Sequence, residues 1–180
     1  MIHLSKLTLL VMLAAASQGF AQKKPSVVVP NRVLPKGGGG TTMSAVSATP
    51  STISFTATDP DSGAVSGSSA ATISWTTTGG SPSQTWTLTV QAASSSFASC
   101  STVPASAVTA TCTTVTEGKP GSCGSAVTLS TVAQQVASGK EDNASPASYS
   151  VAISFTLADS WSYIANPSCS ISLTYTVTAP

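Results

Sequence analysis

From Thr41 onward the chain alternates apolar and hydroxyl-bearing residues with a period of two. In TISFTA, Ile53, Phe55 and Ala57 share one side, with Ser54 and Thr56 on the other. ATISWT aligns Ala71, Ile73 and Trp75, and TWTLTV sets Trp86, Leu88 and Val90 against Thr85, Thr87 and Thr89. AVTATC aligns Val108, Ala110 and Cys112. SYSVAISFTL aligns Tyr149, Val151, Ile153, Phe155 and Leu157, and CSISLTYTV aligns Cys169, Ile171, Leu173, Tyr175 and Val177. Such alternation predicts half-buried strands, each with one face on a core. In phase with the other apolar positions, Trp75 and Trp86 read as core. VAQQVAS, residues 132–138, fits either one helical turn or a short strand.

Turn chemistry separates these segments: Asp59-Pro60-Asp61-Ser62-Gly63, Gly79-Gly80-Ser81-Pro82, Gly118-Lys119-Pro120-Gly121 and Asn166-Pro167. No sustained helical period appears. Several one-sided antiparallel strands close most economically as two packed sheets. The expected fold is all-β: an immunoglobulin-like β-sandwich of two packed antiparallel sheets, over residues 44–180.

Composition supports a folded body with a hydroxyl-rich surface. Charged residues are 7% of the chain, against about 25% in typical domains. Ser and Thr fill the gap, while the apolar positions keep their period. The segment TPSTISFTATDPDSG…ATISWTTTGGSPSQTWTLTV resembles secreted bacterial immunoglobulin-like modules, in which a Pro-Ser start leads into a first strand. It is also similar to BACON-type domains, a resemblance that implies carbohydrate or mucin binding. The stretch covers less than half of the chain. The C-terminal half and the four cysteines depart from the pattern, so no binding residue carries over.

The N-terminus, MIHLSKLTLLVMLAAASQGFAQ, has a short basic start, an apolar run from Leu7 to Ala16 and a small-x-small site at Gly19-Phe20-Ala21. These are the three parts of a secretory signal peptide, 1–21. The apolar run is too short to span a bilayer of about 30 Å. Residues 22–43 read as a basic Pro/Gly-rich arm: Lys23, Lys24, Arg32 and Lys36 occur with no acid before Thr41, among Pro25, Pro30 and Pro35 and ahead of Gly37 to Gly40. The arm reads as a solvated tether; the alternative, raised by apolar Val27, Val28, Val29, Val33 and Leu34, is a strand that adds to a neighbour's sheet edge, although Pro30 and Pro35 argue against a long one. The protein is thus expected to be secreted or on the cell surface, with no transmembrane segment after cleavage.

Four cysteines, Cys100, Cys112, Cys123 and Cys169, form an even set in an exported chain and predict two disulfides. The short loop STVPASAVTAT favours Cys100–Cys112, leaving Cys123–Cys169. Metal binding fails on spacing, because no C-x₂₋₄-C pair exists and no histidine completes a site. The single histidine, His3, lies inside the signal peptide. The mature chain therefore lacks the imidazole on which Ser-His-Asp, Cys-His and most zinc chemistry depend.

What remains is thin. Asp59 and Asp61 can hold calcium or act as an acid/base pair, but their residue types are those of a tight turn. Glu141, Asp142 and Asn143 read as a solvated acidic loop. Trp161 and Tyr163 follow the long strand; they either plug the core beside Cys169 or form an exposed face that stacks on sugar rings. LPKGG (34–38) lies at the wrong end for a sorting signal, Gly37 to Gly40 lack the Lys-Ser/Thr of a phosphate loop, and Asn143-Ala144-Ser145 is a glycosylation sequon weakened by Pro146. The expectation is a non-catalytic structural or adhesive module without cofactor or metal. Its partner is a cell-surface polysaccharide or a second copy of itself, and not nucleic acid.

Overall fold

The computed structural model describes residues 42–44, 46–55, 63–116, 119–158, 160 and 169–179. The strands are β1 (Thr42–Met43), β2 (Ser47–Thr49), β3 (Val65–Ser66), β4 (Ala71–Thr78), β5 (Thr85–Ala92), β6 (Ser96–Phe97) and β7 (Cys100–Pro104). After a 3₁₀ turn at Ala105–Ala107 come β8 (Val108–Thr116), β9 (Gly121–Cys123), β10 (Val127–Thr128), β11 (Gln134–Lys140), β12 (Ala147–Leu157) and β13 (Leu173–Thr178). Among the described residues there is no α-helix. The chain is all-β, and every strand pairing is antiparallel.

A seven-stranded sheet runs β1-β4-β12-β8-β10, with β2 also on β4 and β3 also on β12; a four-stranded sheet runs β13-β5-β11-β9. β6 and β7 pair separately. The strictest alternation in the sequence became the longest ladders. Ala71, Ile73, Trp75 and Thr77 of β4 are buried between half-exposed Thr72, Ser74 and Thr76. β12 repeats the pattern from Ala147 to Leu157. β-Branched threonines on the outer faces suit a pleated surface. The inner faces share one core. Trp75 of β4 stacks on Tyr149 of β12, with centroids 5.2 Å apart, and both present edges to Trp86 of β5 at 5.1 and 6.1 Å. Trp75 and Trp86 are core residues, as their phase predicted.

Three local expectations change. TISFTA alternates in burial, with Ile53 and Phe55 inside, but 53–55 joins no named strand. The ambiguous VAQQVAS lies largely in strand β11. Its period was hidden because the register shifts between Gln135 and Ala137, so Val136 and Ala137 are both buried. At the N-terminal side, Thr42–Met43 of the expected arm already pair with Thr78 and Thr77.

The disulfide pairing is corrected. The bonds are Cys100–Cys169 and Cys112–Cys123, with Cα atoms 5.3 and 5.2 Å apart. The short loop between Cys100 and Cys112 misled because β7 and β8 are not neighbours: β7 pairs with β6, and β8 with β12 and β10. Cys100 instead meets the chain leading into β13, where Ala98 bridges Ser170. Cys112 reaches β9, tying the seven-stranded sheet to the four-stranded one.

Candidate functional site

The one polar cluster in the core lies, among the described residues, where the turn that carries the chain from β4 in one sheet to β5 in the other meets the loop after β11. Ser81-Pro82-Ser83-Gln84 closes this turn, with Gln84 N–H donating to the Ser81 carbonyl at 2.9 Å. Glu141 follows β11 and docks against it: its N–H donates to the Gln84 carbonyl at 3.0 Å, and its Oε2 accepts from Ser81 N–H at 3.3 Å. Gly80 is required there. A Cβ at that position would sit 2.7 Å from the Asp142 carbonyl oxygen and 3.0 Å from Glu141 Oε2.

Glu141 is therefore not part of a solvated loop. It is 0% exposed, and its Oε1 has no partner. The expectation failed because a carboxylate is solvated by default, and only a sheet-to-sheet turn about sixty residues away in sequence covers this one. Asp142 and Asn143 do reach the surface, and Asp142 Oδ1 accepts from Ala144 N–H at 3.1 Å, an Asx turn. Beside them, Tyr149 Oη accepts from Asp142 N–H at 2.8 Å and from buried Thr77 Oγ1 at 3.4 Å. Trp75 Nε1 is buried with no acceptor. The cluster joins the two sheets through a carboxyl, a phenol and two indoles, and it leaves donor and acceptor capacity unspent.

Open surface is broad and shallow. On the outside of the seven-stranded sheet a trough of about 400 Å³ runs over Ser44, Ser47, Ser74, Thr76, Ser148 and Ser150. On the four-stranded sheet one of about 380 Å³ runs over Thr85, Thr87, Ser122, Gln135, Ser138 and Lys140. Lys140 is the single charged residue among those lining either trough. Inside, at the other end of the core, Ile53, Phe55, Val108, Leu129, Phe155, Ile171 and Leu173 surround a void of only about 10 Å³.

No family model matches the chain, and no curated protein or solved structure is significantly similar to it.

The geometry thus stands alone. Among the described residues no group of three His, Cys, Asp or Glu side chains converges to hold a metal ion. No described helix is long and apolar enough to cross a membrane. The two disulfides point to an oxidising compartment outside the cytoplasm. Trp161, Tyr163, Asp59 and Asp61 lie outside the described residues. The buried carboxyl, which sequence reasoning missed, had one available signal: Glu141 follows directly on β11, a strand that the blurred period concealed.

Proposed function

We propose that the protein is an exported, non-catalytic contact module of the cell surface, built as an immunoglobulin-like sandwich and acting through its sheet faces in a structural or adhesive role. The observation that carries this reading is the pair of wide, shallow, hydroxyl-lined troughs. Small-molecule sites are usually deep, mostly apolar clefts. A flat field of Ser and Thr side chains, with hydroxyls set among their own methyl and methylene groups and one charge at Lys140, instead offers weak hydrogen bonds and apolar contact to an extended surface. Two cross-links suit a body that works outside the cell, where disulfides persist. A second reading, carbohydrate binding, draws on the same feature, since neutral hydroxyls match those of a sugar chain.

The test uses the body without its arm, residues 41–180. It is applied to isolated cell envelopes and to insoluble neutral polysaccharides, and retention is compared with that of Thr76→Lys and Ser150→Lys, which place charge on the larger trough. Retention by the parent and its loss in both variants is the expected result. Equal retention by parent and variants removes the trough from the account, and retention on polysaccharide alone selects the second reading.

A further inference from the structure

We propose that the outer edge of β13 is a strand-acceptor site, filled in antiparallel orientation by residues 27–34 of the arm of a second copy. This deepens the contact role proposed above and rests on it.

β13 is the sheet edge least defended against pairing. It runs in register with β5 for six residues, Leu173↔Ala92 to Thr178↔Thr87, with no bulge, charge or proline. The other outer strands of the two large sheets are shorter: β1 and β10 have two residues each and β2 and β9 three, and β8 behind β10 carries a register shift opposite Ala152/Ile153. Ala93 N–H donates to the Ser172 carbonyl at 2.9 Å. Alternation along an antiparallel strand then turns Thr174, Thr176 and Thr178 toward β5, and turns the main-chain groups of Leu173, Tyr175 and Val177 outward. Among the described residues no strand takes these three N–H and three C=O groups. The side chains of the same residues point into the core.

The arm, Val27-Val28-Val29-Pro30-Asn31-Arg32-Val33-Leu34, fits this edge in one orientation. Pro30 has no N–H to give, so it must face away from β13, as prolines in edge strands do. Val27, Val29, Asn31 and Val33 then face β13. In an antiparallel pair, residues whose main chains face each other also share a sheet face. Val27, Val29, Asn31 and Val33 therefore fall on the core side with Leu173, Tyr175 and Val177, and Val28, Arg32 and Leu34 fall on the solvent side. In a parallel pair the relation inverts: Arg32 turns to the core and three valines turn to water.

Orientation decides which copy donates. The arm leaves the body at Thr42, opposite Thr78, and the short sheet-to-sheet turn from Thr78 to Thr85 places this point at the Thr178 end of β13. An antiparallel arm brings Leu34 to the Leu173 end, about 20 Å further on and one sheet away, about 10 Å. The eight Cα steps from Leu34 to Thr42 reach about 28 Å fully extended, whereas a glycine-rich linker of that length averages only about 15 Å end to end. Spanning about 22 Å would hold Gly37 to Gly40 nearly taut, an entropic cost that an arm from a second copy does not meet. Because donor and acceptor are different surfaces, the contact is head-to-tail and extends into a chain of subunits.

The experiment compares residues 22–180 with 41–180 by light-scattering chromatography and electron microscopy, with no target present, so that its outcome is independent of the envelope-binding test. The longer form assembles with rising concentration and the shorter stays monomeric. A synthetic peptide of residues 22–36 binds the shorter form and slows amide exchange at Leu173, Tyr175 and Val177. Val29→Lys in the arm, outside the folded body, abolishes assembly, and Val28→Lys leaves it intact. Assembly by both forms, or sensitivity at Val28 in place of Val29, overturns the proposal. A monomeric 22–180 also overturns it, whether its three amides are protected by its own arm or exchange freely.

Discussion

The two ends of the shared core are closed by opposite chemistry. At one end Glu141, Tyr149, Thr77, Trp75 and Trp86 bring polar atoms inside and leave Glu141 Oε1 and Trp75 Nε1 without partners. At the other, Ile53, Phe55, Leu129, Phe155, Ile171 and Leu173 leave only about 10 Å³ empty, roughly the smallest space that holds a water molecule. A glycine seals each end. A Cβ on Gly67 would lie 2.6 Å from Ile53 Cγ2, and one on Gly80 would lie 2.7 Å from the Asp142 carbonyl oxygen. The dry end depends on volume. The polar end depends on direction, because its contacts are hydrogen bonds and edge-to-face rings. An apolar void tolerates no group beyond its size, whereas a polar cluster tolerates no misplaced partner.

The largest expected effect concerns the cross-link beside the dry end. Cys169 lies two residues before Ile171, and its bond to Cys100 spans 69 positions, against 11 for Cys112–Cys123. Chain-entropy arithmetic gives about 4.4 kcal/mol for the longer loop and about 2.8 for the shorter. Replacing Cys100 and Cys169 with Ala should therefore lower urea stability more than replacing Cys112 and Cys123. The reverse order would mean that the sheet-to-sheet tie of Cys112–Cys123 dominates over loop length.

Next come the two glycines. Gly80→Ala pushes a Cβ against main chain, which cannot rotate away, so a loss near 3 kcal/mol is expected, the upper part of the overpacking range. Gly67→Ala meets Ile53 Cγ2, a methyl one bond from the Cβ of a buried β-branched side chain, with the Phe155 carbonyl oxygen 3.3 Å away; Ile53 has to shift, and a loss of about 2 kcal/mol is expected. Thermal unfolding of the pair measures the difference. Equal losses would show that the dry end is as unyielding as the polar one.

The carboxyl sharpens the contrast further. Glu141→Ala strands the Ser81 N–H and opens space, with an expected cost of about 2 kcal/mol. Glu141→Leu refills the space but not the hydrogen bond, and should recover part of that loss. If Leu matches Glu in urea denaturation, the end is organised by volume alone and the contrast between the ends collapses.

Legibility followed the same division. Strict alternation in β4, β5, β12 and β13 depends on neighbours in sequence, and those strands were readable. In β11 two consecutive buried residues, Val136 and Ala137, broke the period at a bulge. Ile53 and Phe55 showed their burial but not their lack of ladder pairing. Cys100 meeting Cys169, and Glu141 meeting Ser81, are contacts between segments far apart in the chain. No local pattern encodes them, and residue type argued against the second. The cluster at the polar end was thus half legible: Trp75, Trp86 and Tyr149 by phase, Glu141 not at all.

The smallest effect at neutral pH lies in β13, between the two ends. Tyr175 is buried and its hydroxyl has no partner. Burial disfavours the phenolate and pushes its ionisation well above the ordinary tyrosine range. The unfolded phenol still ionises near pH 10. Above that pH the unfolded chain binds fewer protons than the folded one, so stability falls as pH rises; below it Tyr175 contributes no slope. Tyr175→Phe removes both the orphaned hydroxyl and this proton linkage. The variant should gain up to about 1 kcal/mol at neutral pH, since an unsatisfied buried polar group no longer has to be desolvated. Its advantage should then widen between about pH 10 and 12, approaching 1.4 kcal/mol per pH unit at most. Urea midpoints of parent and variant across that range provide the measurement. A constant gap would mean that the phenol ionises equally in both states, and hence that the inner face of β13 is wet, unlike the dry end it adjoins.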